Sequence, residues 1–242
     1  MEKEWTLQTP DGATIYGVTN GSGHAKSAIF MVHCLAGDRN HYAFKRAADY
    51  FSPDYDVYRF DLYTWKAGAR HLIDCTIQTH ADDLNYVMAE YASKYSKVFL
   101  IGHSYGGPSV MLANPSHVTA VSLWDPSYDL NKIQESFTKK YVEQQRLYSC
   151  DWGICILIGE PMYQEAGQLD AHACAELSKK FKSPIQVIHA SEGVYIHDAE
   201  SYHSHGDKRN TREVVSGTEH NFYEGHSCDD LLQLTAKWFE KF

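Results

Sequence analysis

Ser27 to Cys34 (Ser-Ala-Ile-Phe-Met-Val-His-Cys) is a short, almost unbroken apolar run. A strand with one wet face alternates apolar and polar residues, so a run like this predicts a strand covered on both faces. Comparable runs return at Asp56 to Asp61, Lys97 to Gly102, Val118 to Trp124 and Pro184 to His189, with a last short one at Thr211 to Val215. Helical patterns lie between them. One spans His41 to Phe51. A second, Thr79 to Tyr95, puts Leu84, Val87, Met88 and Tyr91 on one stripe, with Asp82 and Asp83 in the first turn, where the helix dipole favours them. A third follows Gly106, and the last carries Leu231, Leu234, Trp238 and Phe242.

Strands alternating with helices imply an α/β fold: a mainly parallel central sheet with helices on both faces. The runs Trp5 to Thr9 and Ala13 to Asn20 meet at Asp11-Gly12, a hairpin signal that predicts an antiparallel edge. No linker, repeat or low-complexity tract divides the 242 residues, so one domain is expected. Residues 127–183 interrupt the rhythm. They are more polar and read as mostly helical, a small helical cap inserted at the end of the sheet where ligands of such folds bind.

A net charge of -9 with dispersed acidic residues argues against nucleic acid as a partner, which calls for clustered Lys and Arg. No apolar run approaches the roughly 18 residues of a membrane helix. Met1 to Trp5 has no signal-like apolar stretch. The six cysteines include no Cys-x-x-Cys pair and read as reduced thiols, consistent with a cytoplasmic protein.

Gly102-His103-Ser104-Tyr105-Gly106 fits Gly-x-Ser-x-Gly. An apolar strand runs into it and a helix runs out, which is the context a nucleophile elbow needs. A serine there sits at a helix N-terminus, on a turn only flanking glycines leave room for. A serine hydroxyl attacks poorly without a base. Among 14 histidines, His220 has the position for that role, in Ser216-Gly217-Thr218-Glu219-His220-Asn221-Phe222, between the last strand and the last helix. His33, His103 and His189 lie at strand ends, where they shape the site.

These motifs resemble the α/β-hydrolase fold family, of the serine esterase and lipase type, over nearly the whole chain. Val32-His33-Cys34-Leu35-Ala36-Gly37 is similar to the family's His-Gly-x-x-Gly oxyanion loop, with Cys34 where glycine is usual. The resemblance implies an oxyanion hole made by the backbone N–H groups of Leu35 and Tyr105. Asp61, ending Arg59-Phe60-Asp61, corresponds to a structural aspartate, and Gly217 to Phe222 resembles the base loop.

The triad acid has three candidates. The family usually supplies it after the penultimate strand, in His-Gly-x-x-Asp. Here the sequence is His189-Ala190-Ser191-Glu192-Gly193, with glycine at the acid's place, Glu192 one residue early and Asp198 five late. Other members place it one strand earlier, where Asp125 stands in Leu123-Trp124-Asp125-Pro126. Asp125 is favoured, with Glu192 and Asp198 as alternatives.

The expected activity is cleavage of carboxylic esters or thioesters of a small-molecule substrate through an acyl-enzyme, with no cofactor and no metal. An acyltransferase or thioesterase with the same triad is the nearest alternative. A non-catalytic binding protein on the same fold is another, motivated by Cys34 and Gly193. Tyr202 to Asp207, with His203 and His205, offers too few ligands for a tetrahedral metal site and reads as a solvated loop.

Overall fold

The computed structural model describes residues 2–137, 140–142, 145–198 and 200–242. The hairpin expected at the start is present. β1 (Glu2–Gln8) pairs antiparallel with β2 (Thr14–Asn20), and Gly12 turns the corner at a φ of 89°. Then follow β3 (Ser27–Val32), α1 (Tyr42–Phe51), β4 (Asp56–Phe60), α2 (Ile77–Tyr91), β5 (Lys97–His103), α3 (Gly106–Ala113) and β6 (Ala120–Trp124). After a long excursion come β10 (Ile185–Ala190), β11 (Thr211–Val215) and α7 (Ser227–Phe239).

The main sheet runs β1-β2-β4-β3-β5-β6-β10-β11. Its first two pairings, β1 with β2 and β2 with β4, are antiparallel; the other five are parallel. The chain leaves β3 for β4 on one side and returns to β5 on the other. The strand order therefore reverses at β3 and β5, and the loops at their carboxyl ends open a crevice there.

β3 shows why its sequence is apolar throughout. Ala28, Phe30 and Val32 join the core under α2 and α3, while Ile29 and Met31 join the core under α1 and α7. All five are fully buried. On the second face α1 contributes Phe44, Ala47 and Phe51, and α7 contributes Leu231, Leu232, Trp238 and Phe239. A fully buried side chain of this size contributes about 1.5–3 kcal/mol. Trp238 keeps its indole N–H satisfied on the Val121 carbonyl at 2.9 Å.

The helix α2 departs from the expected boundaries. Its N-cap is Thr76, whose side chain and that of Thr79 form a reciprocal capping box, so the helix starts at Ile77. Asp82 and Asp83 thus fall in the second turn, beyond reach of the helix N-terminus. Asp83 is instead buried, its carboxylate held by Arg70 at 2.8 and 2.9 Å. Burial pushes the Asp83 carboxyl up even beside that guanidinium.

The excursion also differs from expectation. It holds the helices α4 (Asn131–Phe137) and α5 (Glu160–Gln168), but between them lies a three-stranded antiparallel sheet, β7 (Lys140–Val142), β8 (Leu147–Asp151) and β9 (Cys155–Gly159). Gly153, at a φ of 89°, permits the turn that lets 147–159 fold as a hairpin. The next helix, α6 (Ala171–Lys180), leads the chain back into β10, the crossover that two parallel neighbours require. The excursion docks at the carboxyl edge of the sheet. The Glu165 carboxylate accepts the backbone N–H groups of Ile77 and Gln78, at the N-terminus of α2.

Tyr202 to Asp207 is a solvated loop only in part: Tyr202–Ser204 make one short 3-10 turn whose Tyr202 is fully buried and donates to the Cys174 thiol at 3.5 Å, while Ser204 and Gly206 are exposed. Among the described residues no helix is long and apolar enough to cross a membrane.

The Arg70–Asp83 pair gives a stability test. Removing Arg70 leaves a buried carboxylate unpaired, so Arg70→Ala should cost about 3 kcal/mol at neutral pH. A raised carboxyl pKa weakens the fold only where the group is charged. The loss should therefore shrink as pH falls through the raised Asp83 pKa and vanish within the ordinary carboxylate range, as urea titrations at several pH values would record. A loss independent of pH would show that packing, not charge, accounts for it.

Candidate active site

Ser104 stands between β5 and α3 in the left-handed region, at a φ of 54°. For a residue with a side chain that conformation costs roughly 1–2 kcal/mol. The surroundings hold it there. Its N–H donates to the Trp124 carbonyl at 3.0 Å, and its carbonyl accepts from Gly107 at 2.9 Å and Ser127 at 3.0 Å. The flanking glycines are required by close approach. A β-carbon on Gly102 would lie 2.8 Å from the Gly106 oxygen, and one on Gly106 would lie 2.2 Å from the Val32 oxygen. Sheet, turn and helix thus meet at distances only glycine allows.

Asp125 follows β6 and has no exposed surface. Its Oδ2 lies 2.6 Å from His220 Nδ1, and its Oδ1 lies 3.0 Å from His189 Nδ1. Burial alone would push this carboxyl up. The hydrogen bonds from His189 and His220 more than offset it and hold the group below its ordinary value. An ionised carboxylate only accepts, so each facing ring nitrogen carries a proton. In a neutral His220 ring the remaining lone pair is then on Nε2, the tautomer a general base requires.

His220 sits on a loop anchored from several directions. Phe222 is fully buried, at a φ of 55°. The Thr218 hydroxyl donates to the Glu224 carboxylate, and the Thr218 carbonyl accepts from Glu192 N–H at 3.0 Å. The His220 carbonyl faces His103 Nε2 at 3.0 Å. Tyr195, 7% exposed, packs edge-on against the His220 ring and shares a 2.9 Å hydrogen bond with Ser127.

Of the alternative acids, neither reaches the ring. Asp198 pairs with Lys132 at 2.8 Å, and Glu192 contributes its backbone N–H to the base loop. Gly193 is informative here. A β-carbon there would lie 2.6 Å from Asp125 Oδ2, so the space a side chain would take at 193 is filled by the Asp125 carboxylate.

The loop after β3 is equally constrained. His33 Nδ1 lies 2.8 Å from the Cys34 carbonyl, while its Nε2 accepts the Leu62 N–H at 3.0 Å. That ring is a structural tie. Arg39 grips Asp61 through both its backbone N–H, at 2.9 Å, and its guanidinium. Ala36 adopts a φ of 59°. Leu35 and Tyr105 are both buried, and among the described residues neither N–H donates a hydrogen bond. Burial pushes the Cys34 thiol up to about 12, which makes it a poor nucleophile. His103 is also buried; desolvation, aided by His220 and His41, holds it well below the ordinary imidazole value.

The second imidazole on Asp125 and the packing of Tyr195 were not assigned these contacts from sequence. A histidine ending a buried strand was the one available signal for His189; Tyr195 carried none.

A family model described as the alpha/beta hydrolase fold matches residues 27–150, about half of the chain. No curated protein matches the sequence. Several solved structures superpose over nearly their full length. Alpha/beta hydrolase domain-containing protein 10 from mouse has a TM-score of 0.78 at 16% identity, covering 99% of each chain. The esterase domain of a Rhodothermus marinus protein gives 0.75 at 15% identity, over 98% of this chain and 97% of the other. Est1E from Butyrivibrio proteoclasticus gives 0.74 at 14% identity, over 98% and 99%. Identities this low carry the fold and not the substrate.

The Gly193 contact predicts a steric outcome. Gly193→Ala should destabilise the protein by roughly 1–3 kcal/mol, the usual cost of an added methyl in a filled space. It should also move the Asp125 carboxylate away from His220 in a crystal structure of the variant. An unshifted Asp125 and unchanged stability would show that position 193 has room to spare.

Proposed function

The chain belongs to the α/β-hydrolase fold family, and we propose that it is a serine hydrolase cleaving carboxylic esters or thioesters. The reading assigns Ser104 as nucleophile, His220 as base and Asp125 as the acid that orients it. The observation that supports it most is the 2.6 Å contact between His220 and a buried, ionised Asp125, on the same sheet edge as a serine in a left-handed turn.

The chemistry follows from these positions. His220 Nε2 takes the Ser104 proton as Oγ attacks the carbonyl carbon. The Leu35 and Tyr105 N–H groups receive the oxyanion; each such donor is worth on the order of 3 kcal/mol. As the tetrahedral adduct collapses, His220 returns its proton to the leaving alcohol or thiol. Water, deprotonated by the same nitrogen, then releases the acid and restores Ser104. Asp125 holds the ring in the correct tautomer and stabilises the imidazolium without taking the proton. The 127–183 segment acts as the cap that shapes the acyl pocket, supported by its start at the carboxyl end of β6 and its docking on α2.

Kinetics on p-nitrophenyl acetate test the assignment. Ser104→Ala should fold normally and lose several orders of magnitude in turnover. Asp125→Asn should cost far more than Glu192→Gln or Asp198→Asn. Near-native turnover in Ser104→Ala would refute the nucleophile. A severe loss in Glu192→Gln beside a mild one in Asp125→Asn would move the acid to the later strand.

A further inference from the structure

Behind the nucleophile turn lies a cluster that the proposed hydrolysis leaves unused. Cys34, His41 and His103 each offer one ligand atom, and these atoms all lie within 4.8 Å of one another. They come from the loop after β3, the residue before α1, and the last residue of β5. The His41 and His103 rings are 5.1 Å apart at their centroids.

The hydrogen bonds around the cluster single out the inner nitrogens. His103 Nε2 faces a carbonyl oxygen, that of His220, which can only accept. The ring proton therefore sits on Nε2, and Nδ1 carries the lone pair. That Nδ1 is buried without a hydrogen-bond partner, in a residue 1% exposed. His41 Nδ1 is buried without a hydrogen-bond partner as well, while its Nε2 lies 3.2 Å from the Tyr223 hydroxyl and the Asn221 side chain also acts on the ring. Metal-binding histidines characteristically show this arrangement, with one nitrogen on the ion and the other tied to a carbonyl or similar group. The His103 lone pair is the one that the hydrogen bonds fix, and an unmet buried acceptor costs about 1–3 kcal/mol unless a ligand meets it.

We propose that Cys34, His41 and His103 form a binding site for a borderline-soft divalent ion of the Zn2+ class, directly behind the nucleophile turn. One sulfur and two imidazoles suit Zn2+ or Co2+ and not Mg2+ or Ca2+, which prefer oxygen. Tetrahedral zinc with Zn–S near 2.3 Å and Zn–N near 2.0 Å needs ligand atoms about 3.3–3.7 Å apart, so the cluster closes by about an ångström on binding. Binding displaces the thiol proton: Cys34–SH loses H+ to solvent as the sulfur–metal bond forms. The nearby Asp38 carboxylate acts electrostatically on Cys34 and favours a cation there. The fourth position is left for water, and His41, half-buried under the exposed Tyr223, marks the way in.

Cobalt titration tests the site without reference to hydrolysis. Adding Co2+ to the purified protein should produce a near-ultraviolet thiolate-to-cobalt absorption and tetrahedral visible bands, saturating at one equivalent and removed by Zn2+. Cys34→Ala should abolish the charge-transfer band. His41→Ala and His103→Ala should each weaken binding by about tenfold or more, at least what loss of an outer-shell partner costs. His41→Ala, at a half-buried position ahead of α1, serves where His103→Ala does not fold. Ser104→Ala should bind Co2+ like the parent, which separates this site from the assignment of the nucleophile. Cys155→Ser, at the exposed cysteine, should also leave binding unchanged. Loss of the band in Cys155→Ser with its survival in Cys34→Ala would overturn the proposal, as would absence of any band at a tenfold excess of Co2+.

Discussion

The whole site is organised around one buried negative charge. Asp125 has no solvent contact, and a carboxylate in that position faces a desolvation penalty of several kcal/mol. The imidazoles of His189 and His220, one on each oxygen, compensate for it. This one group thereby joins the ends of β6 and β10 to the loop before α7. The orientation of His220 is a consequence: its Nδ1 is committed to the carboxylate, which directs Nε2 elsewhere. Position 193 has to be glycine for the same reason, since any side chain there would occupy the volume of the Asp125 carboxylate.

The nucleophile turn depends on a second set of close approaches that meets the first. The Ser104 N–H is satisfied by Trp124, the residue immediately before Asp125, and its carbonyl by Ser127, two residues after it. Serine and carboxylate are therefore positioned by the same stretch of backbone. Asp125 itself has a φ of 40°, so two adjacent strands, β5 and β6, both end in left-handed residues packed against each other. The strain at both is carried by the hydrogen bonds of the parallel sheet beneath them. A sheet whose order reverses at β3 and β5 exposes this pair at its carboxyl edge, beside the loop carrying Leu35.

Much of this was legible in the sequence, for identifiable reasons. The run from Ala28 to Val32 is apolar at every residue and so on both faces, as a doubly covered strand requires, and β3 is one. Gly102 and Gly106 bracket a serine after an apolar strand because the packing there excludes a β-carbon. Other features left weaker marks. The start of α2 rests on a Thr76–Thr79 capping box, whereas Asp82 and Asp83 suggested a start two residues later. The hairpin within the excursion turns at Gly153, in a short apolar stretch, Trp152 to Gly159, whose periodicity alone does not separate strand from helix. No spacing rule brings Cys34, His41 and His103 together, because the strand order of the sheet makes them neighbours. Nor does spacing tell which of Asp125, Glu192 and Asp198 meets the His220 ring; the fold brings the Asp125 carboxylate to it.

Labelling with a fluorophosphonate probe at neutral pH, mapped by peptide mass spectrometry, tests the central claim most directly, because such probes react with serines activated by a neighbouring base. The account predicts stoichiometric modification of Ser104, abolished in His220→Ala and sharply slowed in Asp125→Asn. An intact protein that leaves Ser104 unlabelled, or that labels equally well without His220, would contradict it.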